Sequence, residues 1–221
     1  MDKRTLALYL DLAKHHPETS EKEVQDLCQA VKKYGFHSAF VNPCWVKLAR
    51  ELLGATGVVG TVISFPLGQD MKDIKVLSAI EAVNHGANEL DISMNVGLFK
   101  EGKTDLVLAE MEAIVKTVKA LKKSTLVKFI IETGLLTEEE IKKASQLVLK
   151  SGADFVKTCS GMGPRGASLK DVELIKSVVG GKIKIKVAGG IDTYQEAIDF
   201  IKAGVDRIGT SKAIEILEGL K

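Results

Sequence analysis

The chain of 221 residues is short of several things, and each shortage removes a class of protein. Its three cysteines, Cys28, Cys44 and Cys159, are odd in number, far apart and without a CxxC pair. That excludes a disulfide framework and a cysteine-rich zinc module, and it fits reduced thiols in the cytoplasm. The four prolines are scattered and low-complexity sequence is missing, so no segment reads as a linker. No apolar run approaches the length of a membrane span. The N-terminal MDKRTLALYLDLAKHH is interrupted by Asp11 and is read as neither a signal peptide nor a transit peptide. A dominant charge is also missing. Lys+Arg 31 against Asp+Glu 29 leaves +2, no basis for binding nucleic acid or an anionic membrane.

What remains is ordinary globular material, with 45% apolar and 27% charged residues, able to bury a full core. Short β-like runs alternate with longer amphipathic ones. The predicted strands are 6–12, 36–41, 57–63, 88–93, 125–131, 154–158, 182–188 and 206–210. The predicted helices lie near 20–33, 43–53, 71–85, 104–122, 137–150, 168–178, 193–203 and 211–219. SEKEVQDLCQAVKKYG shows the logic: Ser20 and Glu23 form a capping box, Val24, Leu27, Cys28 and Val31 share a face, and Gly35 ends the helix. HGANELDI (85–92), SGADFVKT (151–158) and AGVDRIGT (203–210) repeat one grammar, in which a glycine closes a helix and a strand follows. Strict alternation implies parallel strands. The count of eight, and the lack of an early GxGxxG turn, favour a closed (β/α)8 TIM barrel over an open doubly wound sheet. One such domain, residues 1–221, is expected.

A barrel of this kind places its chemistry at the C-terminal ends of its strands. Reading those ends gives Asp11, Asn42, Thr61 or Ser64, Asp91 with Ser93 and Asn95, Glu132 with Thr133, Lys157, Lys186 and Ser211. Any one of these is most often a solvated rim residue. Two lysines and two aspartates arriving from different strands are harder to explain that way. DFVKT ends a buried strand on Lys157, where an unpaired ammonium is costly. A second lysine nearby and burial both lower a lysine pKa, and a neutral amine attacks a carbonyl to form a Schiff base. The iminium is an electron sink for carbon–carbon cleavage, and Asp91 is placed to orient water and move protons. Such chemistry needs no metal and no cofactor.

Other residues read differently. His15 and His16 are expected in the loop after the first strand, His37 at a strand start and His85 at a helix end. Each is read as satisfied or exposed, which leaves no metal site at the catalytic face. VAGGID (187–192) and RIGTSKA (207–213) follow the seventh and eighth strands, where barrels often bind phosphate. Ser211 is expected to cap the last helix and offer its hydroxyl. In SGMGPRGAS (160–168), a loop that would complete the pocket, Arg165 is read as solvated. Lysines 182, 184 and 186 share one strand face, and only Lys186 reaches the glycine loop. Lys128 is read as a buried, paired lysine lower in the barrel.

YGFHSAFVNP, GTVISFPLG, NELDISMNVG, LVKFIIETGLLTEEE, GADFVKT, KVAGGI and RIGTS occur in order and at matching spacing, and through them the chain resembles deoxyribose-phosphate aldolase over nearly its whole length. The resemblance implies a class I aldolase that reversibly cleaves 2-deoxy-D-ribose 5-phosphate to D-glyceraldehyde 3-phosphate and acetaldehyde. It implies Lys157 as the Schiff-base lysine, Lys186 as the lysine that perturbs it and Asp91 as the proton-relay aspartate. Phosphate contacts would fall on Ser160, Gly161, Gly189, Gly190, Gly209 and Ser211. A cytoplasmic homodimer or homotetramer is expected, acting on small phosphorylated sugars and aldehydes. The chain departs from the family in four places. Asp11-Leu12-Ala13 stands for the usual Asp-His-Thr, and Phe40 for a common site cysteine. Lys157-Thr158-Cys159-Ser160-Gly161 stands for Lys-Thr-Ser-Thr-Gly, and Lys186-Val187-Ala188-Gly189-Gly190 for Lys-Ala-Ser-Gly-Gly. Two other readings stay open: a Schiff-base aldolase for another phosphorylated sugar, and a phosphate-binding barrel without covalent chemistry.

Overall fold

The computed structural model describes residues 1–220; Lys221, the last residue of the expected domain, lies outside them. Eight parallel strands close into one barrel in sequence order. They are β1 Leu10–Lys14, β2 Ser38–Val41, β3 Val59–Ile63, β4 Glu89–Ser93, β5 Leu126–Ile130, β6 Phe155–Lys157, β7 Lys184–Ala188 and β8 Arg207–Thr210. Pairing of β1 with β8, Asp11 opposite Gly209, completes the ring. The expected (β/α)8 barrel is the observed fold.

The helices are α1 Lys3–Ala7, α2 Glu21–Tyr34, α3 Val46–Leu53, α4 Lys72–Asn84, α5 Val96–Lys100, α6 Thr104–Leu121, α7 Glu138–Lys150, α8 Leu169–Val179, α9 Tyr194–Ala203 and α10 Ala213–Glu218. α2 starts on the Ser20–Glu23 capping box and ends on Gly35 in the left-handed conformation, as its sequence requires. Gly86, Gly152 and Gly204 hold positive φ at the helix-to-strand bends of the repeat. The main core is the layer between strands and helices, where Val24, Ala49, Val59, Ile92, Ile114, Val148, Ile175 and Ile208 are fully enclosed or nearly so.

Two expectations fail. The first predicted strand, 6–12, is split: residues 3–7 are helical and β1 begins at Leu10. The cause lies in Asp2, whose carboxylate accepts from the Thr5 N–H at 2.7 Å and starts a short helix. That moves Asp11 from a strand end to the second residue of β1, deep in the barrel. The second failure concerns Ser211. α10 begins two residues later, behind Lys212, with no side-chain cap.

The inside of the barrel is fitted residue against residue. Phe40 and Gly60 are register partners on β2 and β3. A Cβ on Gly60 would lie 2.3 Å from the Phe40 ring, so the missing side chain on one strand makes room for the large one on the next. Gly60→Ala should therefore overpack the barrel and destabilise it by about 1–3 kcal/mol. Urea unfolding of Gly60→Ala, Phe40→Leu and the double variant tests this. Additive losses in the double variant would show that the two sites are not fitted to each other.

Candidate active site

The strand register carries polar residues into the barrel. Lys157 on β6 lies beside Lys186 on β7, and Asp91 on β4 beside Lys128 on β5. All four are buried. Asp91 joins them. Its Oδ2 accepts from Lys157 Nζ at 2.8 Å and lies 2.8 Å from Lys186 Nζ, while its Oδ1 accepts from Lys128 Nζ at 3.2 Å. Lys186 also reaches Asp11 Oδ2 at 2.6 Å, so the two lysines and two aspartates expected from separate strands do meet. Below them Lys128 pairs with Glu89, and Glu89 accepts from His37 Nε2 at 2.8 Å at the N-terminal mouth. Lys128 is thus the buried, paired lysine its sequence suggested.

Burial favours the neutral acid of Asp91, but Lys128, Lys157 and Lys186 outweigh it and hold the carboxyl well below the usual range. Burial also acts against the ammonium of Lys186. With Lys128 and Lys157 adding to burial, and Asp11 and Asp91 opposing it, its pKa falls to about 8. Lys186 further lies over the Phe40 ring, 3.6 Å from its centroid, and Gly209 on β8 leaves space for its stem.

Above the ammonium groups opens a cavity. Lys157 and Lys186 form part of its floor, and Ser160, Gly161, Gly189, Gly190, Gly209 and Ser211 line it. The six residues expected at phosphate therefore share one cavity with both lysines, and Asp91 lies sealed beneath. Backbone packing shapes the rim. A Cβ on Gly166 would lie 2.2 Å from the Gly189 carbonyl oxygen, so the loops after β6 and β7 touch main chain to main chain. Ser211, although it caps no helix, reaches the cavity directly.

Several strand-end candidates serve structure instead. Asn95 caps α5, Thr61 donates to the Val41 carbonyl, and Thr133 donates to Asp171. Glu132 accepts from the Ser160 N–H at 3.0 Å and fixes the start of the loop after β6. Arg165 is exposed, as expected, but it is also paired: its guanidinium clamps both oxygens of Asp171, at 2.6 and 2.9 Å, and the Thr133 carbonyl. Three histidines are as expected: His16 and His85 are exposed, and His37 is paired. His15 is not. It lines the cavity beside Lys157, its Nδ1 is buried without a partner among the described residues, and burial first and Lys157 second lower its pKa to about 3. The signal that would have found it is the strand period. With β1 running to Lys14, residues 11, 13 and 15 follow one face.

Among the described residues, Asp11, His37 and Glu89 have donor atoms within 4.8 Å of one another, a spacing that could suit a metal ion. Their chemistry does not. Ser38 donates to Asp11 at 2.6 Å, Lys128 and His37 engage Glu89, and Arg207 Nε lies 3.6 Å from Asp11. Cations already in place oppose another one there.

Comparison with known proteins gives the context of this geometry. Residues 5–211 match the model of the DeoC/LacD family aldolases. The chain belongs to the DeoC/LacD aldolase family. A relative from Thermococcus gammatolerans described as a deoxyribose-phosphate aldolase is 44% identical over 219 residues, 98% of this chain and 96% of its own length. One from Aquifex aeolicus with the same description is 44% identical over 210 residues, 95% of this chain and 94% of its own. Among solved structures, an aldolase named QR15 shares 44% identity and a TM-score of 0.91, covering 99% of this chain and 95% of that one. The deoxyribose phosphate aldolase of Aeropyrum pernix, described as a unique tetramer, shares 30% identity and a TM-score of 0.90, covering 98% of this chain and 91% of its own.

The lowered pKa of Lys186 has a consequence for stability. Below about pH 8 folded and unfolded chains both hold its proton, and its buried charge opposes folding in full. Between about 8 and the ordinary value of 10.5 the folded state releases the proton while the unfolded state keeps it. The opposition is relieved over that window. Urea unfolding should show the stability of wild type rising relative to Lys186→Met from pH 8 toward 10.5, with a constant difference nearer neutrality. A difference that stays constant throughout would mean that Lys186 titrates as an ordinary lysine.

Proposed function

We propose that this aldolase reversibly cleaves 2-deoxy-D-ribose 5-phosphate to D-glyceraldehyde 3-phosphate and acetaldehyde, with Lys157 as the Schiff-base nucleophile. The observation that carries the reading is the contact of one buried carboxylate, Asp91, with both Lys157 and Lys186 at the floor of the cavity. The whole chain is read as one catalytic domain.

Lys157 gives up a proton through Asp91 and attacks the aldehyde carbon of the open-chain sugar. Loss of water leaves an iminium at C1. The C2–C3 bond then breaks, its electron pair moving through C1 to the iminium nitrogen. The C3 hydroxyl loses its proton and becomes the aldehyde of D-glyceraldehyde 3-phosphate. Protonation of the enamine at C2 and hydrolysis release acetaldehyde and restore the amine. Lys186 keeps a positive charge beside the reacting nitrogen, and Asp91 holds the two together while passing protons between amine and water. The phosphate would rest against Gly161, Gly189, Gly190, Gly209, Ser160 and Ser211, which bring main chain and hydroxyls to the cavity without bulk. No helix of the described residues is long and apolar enough to cross a membrane. We place the protein in the cytoplasm, on its three free thiols, and expect a homodimer or homotetramer, in line with the tetramer of the Aeropyrum relative.

Intact mass after borohydride reduction with acetaldehyde tests the nucleophile. Wild type should gain one two-carbon unit, mapped to Lys157, and Lys157→Ala should gain none there. Trapping on another lysine would move the role; trapping of a different carbonyl donor alone would favour another phosphorylated sugar. Failure with every carbonyl compound would leave a phosphate-binding barrel without covalent chemistry. The rate should also report Lys186. Because its ammonium is the useful form, kcat/KM should fall as pH rises through about 8. Lys186→Met should be slower by roughly a hundredfold or more and lack that limb; an unchanged alkaline limb would assign it to another group.

A further inference from the structure

The aromatic wall of the cavity holds one polar atom that none of the described residues satisfies. His15 stands edge-on to Phe40, ring centroids 6.2 Å apart and planes at 86°, and tilted against Phe65 at 5.4 Å. Phe65 in turn lies under Lys157, 5.9 Å from the ammonium nitrogen. Its neighbours therefore fix the imidazole, which lines the same cavity as Lys157 and the glycine loops. Nδ1 is buried and has no hydrogen-bond partner among the described residues. Ala13, one step back on that face of the chain, also lines the cavity and offers no polar side-chain atom. A buried polar atom left unpaired in this way is best explained by a partner that comes and goes.

We propose that His15 Nδ1 binds a hydroxyl on the acceptor half of the bound sugar, and so makes the enzyme prefer hydroxylated acceptor aldehydes over deoxygenated ones. The inference rests on the aldolase reading above. With the sugar tied to Lys157 at one end and its phosphate held by the glycine loops at the other, the middle carbons span the cavity. Phe40, Phe65 and Ala13 can meet those carbons only with apolar surface. Of Ala13, His15, Phe40 and Phe65 only the imidazole can exchange a hydrogen bond with a hydroxyl; the neighbouring His16, which also lines the cavity, is exposed. Its neutral state suits this role. Near Lys157 and Lys186 a third cation would be repelled, whereas a neutral ring takes a hydroxyl without adding charge. A site built around such a bond discriminates strongly, because an analogue without the hydroxyl leaves the buried nitrogen unpaired again.

The test compares two acceptors for acetaldehyde, D-glyceraldehyde 3-phosphate and 3-phosphooxypropanal, which lacks only the 2-hydroxyl. The readout is the ratio of their kcat/KM values, which does not depend on how much of a variant is folded. Wild type should favour the hydroxylated acceptor by roughly tenfold to a hundredfold. His15→Leu should bring the ratio close to one, chiefly by losing D-glyceraldehyde 3-phosphate, and His15→Asn, which keeps a polar atom near the place of Nδ1, should recover part of it. If the leucine variant does not fold, His15→Phe supplies a ring without nitrogens and should give the same ratio as predicted for leucine. A ratio that stays at the wild-type value in these variants overturns the inference. If instead wild type captures no acetaldehyde on Lys157 under borohydride, the aldolase reading fails, and this inference with it.

Discussion

Asp91 is the residue on which the inside of the barrel depends. One fully buried carboxylate touches three ammonium groups, Lys128 from below and Lys157 and Lys186 from above. Each of those lysines is almost wholly removed from water, where a lone charge would cost several kcal/mol. Asp91 cannot balance three cations alone, and Glu89 on Lys128 and Asp11 on Lys186 supply the remainder. Three carboxylates thus face three ammoniums along the barrel axis. Such a column is a poor source of stability compared with packed hydrocarbon. The fold draws its stability from the apolar layer between strands and helices, and the column is what that layer can carry.

The column needs a particular packing around it. Phe40 gives two of the ammoniums an aromatic face, Lys186 at 3.6 Å and Lys128 at 4.6 Å from its centroid, so a large ring substitutes for polar partners. That ring fits only because β3 offers Gly60 beside it, and the Lys186 stem fits because β8 offers Gly209. Charge, aromatic ring and missing side chain therefore form one unit across five strands. Phe40 stands where the resembled family commonly has a cysteine, and the physical setting explains how a phenylalanine is accommodated at the floor of a charged site.

Much of this is legible in the sequence because the relevant signals are local. The helix-closing glycines, the capping boxes and the alternation of strand and helix each act within a few residues, and together they give the eight-fold barrel. Lys157 and Lys186 are readable because strand ends and glycine loops are marked by composition. The differences between sequence and structure trace to boundaries. The run LALYLDL is apolar enough for a strand, but the Asp2 cap turns its beginning into α1 and shifts β1 toward the C-terminus. That shift of a few residues lowers Asp11 into the ion column and raises His15 to the cavity wall. The pairing of the exposed Arg165 escapes the sequence for another reason. Its partners, Asp171 and Thr133, come from other segments, and nothing local announces a guanidinium that clamps a loop.

The ion column also has a direction, and the direction bears on the proposal that Lys157 is the nucleophile. At the N-terminal mouth the chain ends in partners: His37 covers Glu89, and Arg207 approaches Asp11. Lys128, lower in the barrel, is held by two carboxylates, and Lys186 at the cavity floor by two. Lys157, beside Lys186 at that floor, has Asp91 alone among the described residues, and beyond it the cavity. On the proposed reading, the amine that exchanges its ion pair for a covalent bond to a carbonyl is the one with a single carboxylate contact to give up, the one closing the strand DFVKT. Were Lys157 to become an iminium, as proposed, the carboxylate of Asp91, held ionised by the ammonium groups around it, would supply the negative charge that such a cation needs in a buried site.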